Sequence, residues 1–175
     1  DAVMVINPDL PRQMIERYKK QAESDGIRVA SLEEFPMIRG QFLQDTRAEV
    51  YPRIRWNFNW DDYVVVGVPD GLTDSFVYEF KTTRNEFLMH FVKPVAFTQA
   101  DIYGHFFRRD EKRVQINVVN EEITKTWENA VDERRAIGTL ENFKRVDQGW
   151  SPPPPEAWKC KTCEFKEMCK LKIVA

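Results

Sequence analysis

Two short apolar runs separated by a single loop constrain this chain most: DYVVVGV at 62–68 and FVYEFKT at 76–82. Both are rich in β-branched and aromatic residues and too short for a buried helix, so they read as strands. The PDGLTDS segment between them is dense in turn formers and reads as a loop. Side chains alternate along a strand, so Glu79 and Lys81 share one face while Phe80 turns to the opposite layer. Asp70 leaves the end of the first strand, and a hairpin between the two brings it to the same spot. Taken alone, Asp-Gly and Glu-x-Lys also describe an ordinary turn and a solvated strand face. The apolar neighbours Val77, Tyr78 and Phe80 argue against that, because charges on so apolar a strand need a reason.

The remaining pattern alternates helices with strands. Apolar spacing at Leu10, Met14, Ile15 and Tyr18 predicts a helix over 8–23, ended by Asp25-Gly26. A second helical segment is expected within 31–49. YPRIRWNF at 51–58 reads as a strand that turns through Asn59–Asp61 into the 62–68 strand. Residues 94–108 have helical spacing, with Val95, Phe97, Ile102 and Phe106 on the apolar face. RVQINVV at 113–119 reads as a fourth strand. Residues 121–147 read as one long helix with a stripe of Ile123, Trp127, Ala130, Ile137, Leu140 and Phe143. The proline run at 151–155 is a stiff linker. It divides a core of 1–150, carrying the N-terminal helical segment, from a small cysteine-rich lobe at 151–175.

At 175 residues, 42% of them hydrophobic and 13% aromatic, the chain can build one packed domain and an appendage. The formal charge of -2 excludes a basic-tail nucleic-acid binder. It does not exclude a nucleic-acid enzyme, because carboxylates that hold a cation lower the net charge where the metal reverses the local sign. No apolar run approaches the roughly 18 residues that cross a bilayer, and the first residues lack signal-peptide character, so no membrane partner and an intracellular location are expected.

The chemistry follows from the residue types. Phosphodiester hydrolysis needs a neutralised phosphate and an activated water. Asp70 and Glu79 can hold one or two hard divalent ions such as Mg²⁺ or Mn²⁺. Lys81 can orient the water or stabilise developing negative charge. Gln99 and Tyr103 stand four apart, on one helix face, and can contact a phosphate or steady the lysine. In YPRIRWNFNW, Arg53 and Arg55 share one strand face and Ile54 and Trp56 the other. That alternation lines a single-strand groove or, more plainly, a core strand with solvated arginines. His90 and His105 are the only histidines and read as surface or packing residues.

Asp70, then Glu79-Phe80-Lys81, then Gln99-x-x-x-Tyr103, in this order and spacing, resembles the RecB-like branch of the PD-(D/E)XK nuclease superfamily. The trailing Cys160-x-x-Cys163 and Cys169 resemble the CRISPR-associated RecB-like exonucleases with an iron–sulfur cluster, and the nuclease domains of helicase–nucleases such as AddB. The likeness covers about 40–170. It implies a restriction-endonuclease-like α/β fold, a mixed central sheet flanked by helices. It implies metal-dependent DNA cleavage, as an exonuclease on single strands or ends, in CRISPR spacer acquisition with integration proteins or in recombination and repair. Asp70, Glu79 and the Phe80 carbonyl would ligate the metal, Lys81 would be catalytic, and Gln99 and Tyr103 would position substrate. Where the family places a metal-binding His four residues after a Gly, this chain has Gln44 after Gly40; Gln44 through its amide oxygen, or Asp45, would take its place.

The three cysteines all lie in CKTCEFKEMC, a cluster that suits zinc or an iron–sulfur centre better than a disulfide framework. The family's 4Fe-4S cluster takes a fourth cysteine from far upstream, which is lacking here. Residues ahead of Asp1, another side chain or water would complete the site, or a 3Fe-4S cluster or Zn²⁺ would occupy it, or the cluster is degraded or absent. Two other readings remain open: a catalytically weak relative that binds DNA or a partner enzyme, and a zinc-binding interaction module.

Overall fold

The computed structural model describes residues 3–7, 10–31, 34–153, 155, 160, 163 and 167–169. Strands β6 (Phe76–Thr83) and β7 (Glu111–Val118) form the parallel centre of a four-stranded sheet. Its order is β5-β6-β7-β8, with β5 (Gly71–Leu72) and β8 (Ile123–Ala130) antiparallel on the edges. Parallel neighbours need a long crossover, and α3 (Glu86–Phe107) supplies it.

Register sorts the side chains into two faces. Glu79 pairs with Val114 and Lys81 with Ile116, so these share a face with Val77. Helix α3 covers that face: its buried Ala96 and Ala100 join Leu72, Val77, Val114 and Ile116 in one core cluster. Alanines here let the helix backbone come close to the strands. Each fully buried Val or Ile in such a core contributes about 1.5–3 kcal/mol. The opposite face carries Tyr78, Phe80, Arg113, Gln115 and Asn117. Helix α2 (Pro36–Arg47) reaches it, Arg47 donating to Asn117 Oδ1 at 3.2 Å. The chain is thus a mixed α/β fold with a helix on each face of the central sheet.

Two smaller sheets complete this part. β1 (Val3–Val5) and β2 (Arg28–Ala30) pair in parallel around α1 (Arg12–Ser24). β3 (Trp56–Trp60) and β4 (Tyr63–Gly67) form a hairpin. The expected hairpin of the 62–68 strand with the 76–82 strand does not form: β4 belongs to the β3 sheet, and β6 pairs instead with β5, which lies within the expected loop. Asp61 turns it in the left-handed region, at φ 50°. Residues 51–55 are not strand, contrary to the alternation; instead the Pro52 carbonyl accepts the Leu72 N–H at 2.8 Å, so this segment runs along β5.

Two further expectations are corrected. α3 begins at Glu86, eight residues before Pro94. Asn85 caps it by accepting the Leu88 N–H at 3.0 Å, and Pro94 is carried inside the helix. Residues 121–147 are not one helix: Ile123–Ala130 is β8, and α4 (Glu133–Asp147) follows. Ile123, Trp127 and Ala130 fit a helical stripe by spacing. The β-branched Ile123, Thr124 and Thr126 favour a pleated edge, and pairing to β7 decides it. Trp127 then meets Phe97 of α3 edge-on, ring centroids 6.1 Å apart, with the Lys93 ammonium 4.2 Å from the indole centre.

The chain divides into two compact units, Asp1–Glu133 and Arg134–Ala175. This division falls at the start of α4, ahead of the proline run. In the second unit Ala136 and Leu140 are buried and the Arg145 guanidinium lies 4.2 Å from the Trp150 ring centre. Most of the expected cysteine lobe, with Lys159, Lys161, Lys166, Lys170 and Lys172, lies outside the described residues. No helix among the described residues is long and apolar enough to cross a membrane.

Candidate active site

The parallel register sends Glu79 and Lys81 to the α3 face, and the β5 edge returns Asp70 beside them. Glu79 is only 1% exposed. Its Oε1 lies 2.5 Å from the Lys81 ammonium, and its Oε2 has no hydrogen-bond partner among the described residues. Burial drives the Glu79 carboxyl up to about 8; Lys81 pulls it down and the Asp70 carboxylate pushes it further up. For Lys81, burial works against the charge, but the Glu79 and Asp70 carboxylates outweigh it and hold the ammonium above the ordinary lysine value. Two carboxyl groups and one ammonium therefore converge at a strand end, and the pocket balances while Glu79 keeps its proton and falls one positive charge short once Glu79 ionises.

Asp70 is held from three sides. Its Oδ2 accepts the Phe80 N–H at 2.9 Å, its Oδ1 accepts the Gln44 amide from α2, and its backbone carbonyl accepts Arg53 Nε at 3.1 Å. The N–H and C=O of one strand residue project to the same edge. The Phe80 carbonyl is therefore directed to the edge where Asp70 sits, as the expected third donor requires. Gln44 faces the site. Asp45 does not: it is exposed and accepts from Gln41 Nε2 at 2.8 Å, so its expected place at the metal is withdrawn. Neighbours one apart on a helix stand about 100° apart, so only one of the two can look inward.

From α3, Gln99 Nε2 donates to the Tyr103 hydroxyl at 3.0 Å. Burial raises the Tyr103 phenol, Gln99 opposes this, and the charges of Glu79 and Lys81 act on the same hydroxyl. The i,i+4 pair thus faces the carboxylates and the lysine. Arg53 and Arg55 are exposed. They do not share a strand face, since Arg53 is turned onto the Asp70 carbonyl. The three cysteines are free and partly exposed, and Cys163 N–H reaches the Cys160 carbonyl at 3.4 Å. Among the described residues no group of three or more His, Cys, Asp or Glu side chains is gathered.

A supporting network on the opposite face was not anticipated. Glu49 accepts from the Tyr51 hydroxyl, from Arg113 at 2.6 Å and from Gln115 at 3.2 Å, and its N–H donates to the Tyr78 hydroxyl at 3.0 Å. Tyr78 in turn donates to Gln115 Oε1 at 2.5 Å. This network fixes the segment that carries Arg53 to Asp70. The sequence signal for it was the alternation of Arg113, Gln115 and Asn117 with Val114, Ile116 and Val118: polar side chains on a buried strand need partners.

Tyr51 also explains Gly71. A Cβ at Gly71 would stand 2.5 Å from Tyr51 Cβ, too close for any other residue. Gly71→Ala is expected to cost about 1–3 kcal/mol through overpacking, read from denaturant midpoints, and to disturb Asp70 next door. An unchanged midpoint would show that Tyr51 yields freely.

The raised Glu79 carboxyl carries a sign for stability. The folded chain keeps its proton up to about 8, the unfolded chain only to about 4.5. Cation-free protein is thus expected to lose stability as pH rises between those values, because the folded state binds more protons there. Thermal melts in chelator across that window check this, and Glu79→Gln should flatten the slope; an equal slope in the variant would assign it to other groups.

No family model matches the chain, and no curated protein matches it. A solved structure described as "Crystal structure of SSO0001" is similar, with a TM-score of 0.59 and 19% sequence identity over 93% of this chain and 81% of that one. At that identity the likeness establishes the α/β fold.

Proposed function

We propose that this chain is a divalent-metal-dependent deoxyribonuclease of the PD-(D/E)XK class, acting on single-stranded DNA or DNA ends. One observation carries the reading: a carboxylate 1% exposed, one oxygen without a partner, placed beside a second carboxylate and 2.5 Å from an ammonium. Burying such charge without function is costly. The donor chemistry fits Mg²⁺ or Mn²⁺, which use one or two carboxylates and keep several waters. Asp70, Glu79 and the Phe80 carbonyl would hold the ion, with the Gln44 amide oxygen as a further donor. When bound, it supplies charge neutralisation for the phosphate and a more acidic water.

The chain's own groups do the rest. Lys81 carries a proton-rich ammonium toward the scissile phosphate and balances charge that builds on its oxygens. Gln99 and Tyr103 offer neutral donors from α3, so a phosphate is oriented without adding charge. The Phe80 N–H and Arg53 keep Asp70 turned to the pocket. The burial of Glu79, 1% exposed, strengthens its electrostatic interactions.

A second reading has one observation in its favour. Both carboxylates are already engaged, Asp70 by Gln44 and Glu79 by Lys81, and no third acid joins them among the described residues. A relative that binds DNA or a partner enzyme without cutting it would look like this. Labelled single-stranded DNA incubated with the protein and Mn²⁺ is expected to be degraded, and chelator to stop it; intact DNA under both conditions would favour the second reading.

Cys160, Cys163 and Cys169 are soft donors suited to an iron–sulfur cluster or zinc, with a structural rather than chemical task. The described residues do not gather them, so no step is routed through a cluster. The setting, spacer acquisition or recombination and repair, belongs to the same proposal.

A further inference from the structure

The site above explains the buried charges but not an exposed indole on the neighbouring hairpin. Trp56 opens β3 and is 59% exposed. Its cross-strand partner is Gly67, which has no side chain to cover it, and it makes no ring contact among the described residues. The hairpin beneath is rigid. Phe58, two residues on and on the same face, stacks on Phe106 at 4.9 Å and meets Phe107 edge-on at 4.8 Å. A Cβ at Gly67 would lie 3.3 Å from both the Phe58 and Phe107 rings. The backbone is thus pinned close to α3 while the indole is left open.

Charge surrounds this indole on one side. Arg55, Trp56 and Asn57 line a shallow concavity of about 390 Å³. Arg55 makes no hydrogen bond or ion pair among the described residues. Arg53 spends only Nε, on the Asp70 carbonyl, which leaves its terminal amino groups without a hydrogen bond among the described residues. Residues 51–60 hold two arginines and four aromatic residues and no acid, in a chain of net charge -2. The two arginines are two residues apart, about 7 Å along an extended backbone. From Gly67, opposite Trp56, the chain runs three residues to Asp70, about 11 Å at most.

We propose that Arg53, Arg55 and Trp56 form a shelf for one unpaired stretch of DNA, with a base stacked on the Trp56 indole and its phosphates between the two guanidiniums. Stacking is tolerant of base identity because every base has a π-face, and it needs a base already free of its own stack. A duplex offers phosphates to the arginines but no free base to the indole. The inference rests on the nuclease reading for its substrate, and it adds the path by which a strand reaches Asp70 and Glu79.

The test measures binding in chelator, where no cleavage intervenes. Full-length protein is titrated into a fluorescein-labelled thymidine oligonucleotide and, separately, a blunt DNA duplex. Trp56→Ala is expected to weaken oligonucleotide binding roughly ten-fold or more and leave duplex binding unchanged, while Trp56→Phe retains most of the affinity. Arg55→Gln is expected to weaken both and to lower the salt dependence by about one phosphate contact. Should Trp56→Ala fail to fold, tryptophan emission gives the second readout: oligonucleotide should quench the wild type more than Trp56→Phe. Equal quenching, or oligonucleotide binding by Trp56→Ala at wild-type strength, overturns the shelf. Cleavage with Trp56-independent binding would refute the shelf alone; Trp56-dependent binding without cleavage would refute the nuclease reading alone.

Discussion

Glu79→Gln is expected to abolish metal-dependent DNA cleavage, lowering the rate by about a thousand-fold or more, and to leave the protein as stable as before or more so. The two halves of this outcome have one cause. Glu79 is 1% exposed and its carboxyl is pushed up to about 8 by burial, so the folded chain keeps it protonated below that pH and holds its charge at a cost above it. An amide of the same shape removes that cost. It also removes a charged oxygen ligand, and a bound ion supplies several kcal/mol of transition-state stabilisation, each 1.36 kcal/mol being ten-fold in rate. A residue that served only the fold would behave in the opposite way. Lys81→Met should lose cleavage to a similar degree but also lose stability above about pH 8, where an ionised Glu79 carboxylate would be left without its ammonium. Initial rates on labelled DNA with Mn²⁺, set beside thermal melts in chelator, give both numbers. A Glu79→Gln protein that cleaves within three-fold of wild type (about 0.65 kcal/mol) would end the nuclease proposal.

The largest expected effect on stability lies away from the site. Asp101 of α3 and Lys112 of β7 form an ion pair at 0% and 3% exposure, and Asp101 Oδ1 also accepts the Asp132 N–H at 2.8 Å. The Lys112 ammonium stands 5.4 Å from the Phe97 ring centre. Removing one partner strands the other charge in the core. Asp101→Ala is therefore expected to cost about 3–5 kcal/mol, seen as a large fall in the denaturant midpoint. The paired change Asp101→Leu with Lys112→Met should cost less than either single change, since no charge is left behind. The Asp132 N–H then lacks its Asp101 acceptor, at a cost of about 1–3 kcal/mol. If the double variant were the least stable of the three, the pair would be contributing net stability rather than merely being mutually satisfied.

Gly104 of α3 makes a related point about packing. A Cβ there would lie 2.3 Å from Val131 Cγ2. Gly104→Ala must push the turn that joins β8 to α4 off the helix. It is expected to lower the denaturant midpoint although alanine is the better helix former.

Much of the candidate site was legible because it depends on short-range periodicity. Alternation alone places Glu79 and Lys81 on one face, and a helical turn alone brings Gln99 to Tyr103, where the hydrogen bond of 3.0 Å is found. Asp70 reaches their side by another route than the expected hairpin: β4 pairs with β3, and β6 takes the two-residue β5, inside the expected loop, as its antiparallel neighbour. The first two are consequences of backbone geometry over a few residues once the strand and the helix have formed. What the tertiary structure decided are questions of phase and partner. Gln44 and Asp45 are equally polar and adjacent, and only the docking of α2 turns the first to Asp70 and the second to solvent. Residues 123–130 fit a helical stripe and a strand, and pairing with β7 chose the strand. Arg53 reads as a strand-face cation until Pro52 joins Leu72 and turns it onto the Asp70 carbonyl. Local periodicity says which side chains can share a face; which face meets which is set by burial and long-range hydrogen bonds, whose partners lie tens of residues away and leave no trace in the spacing.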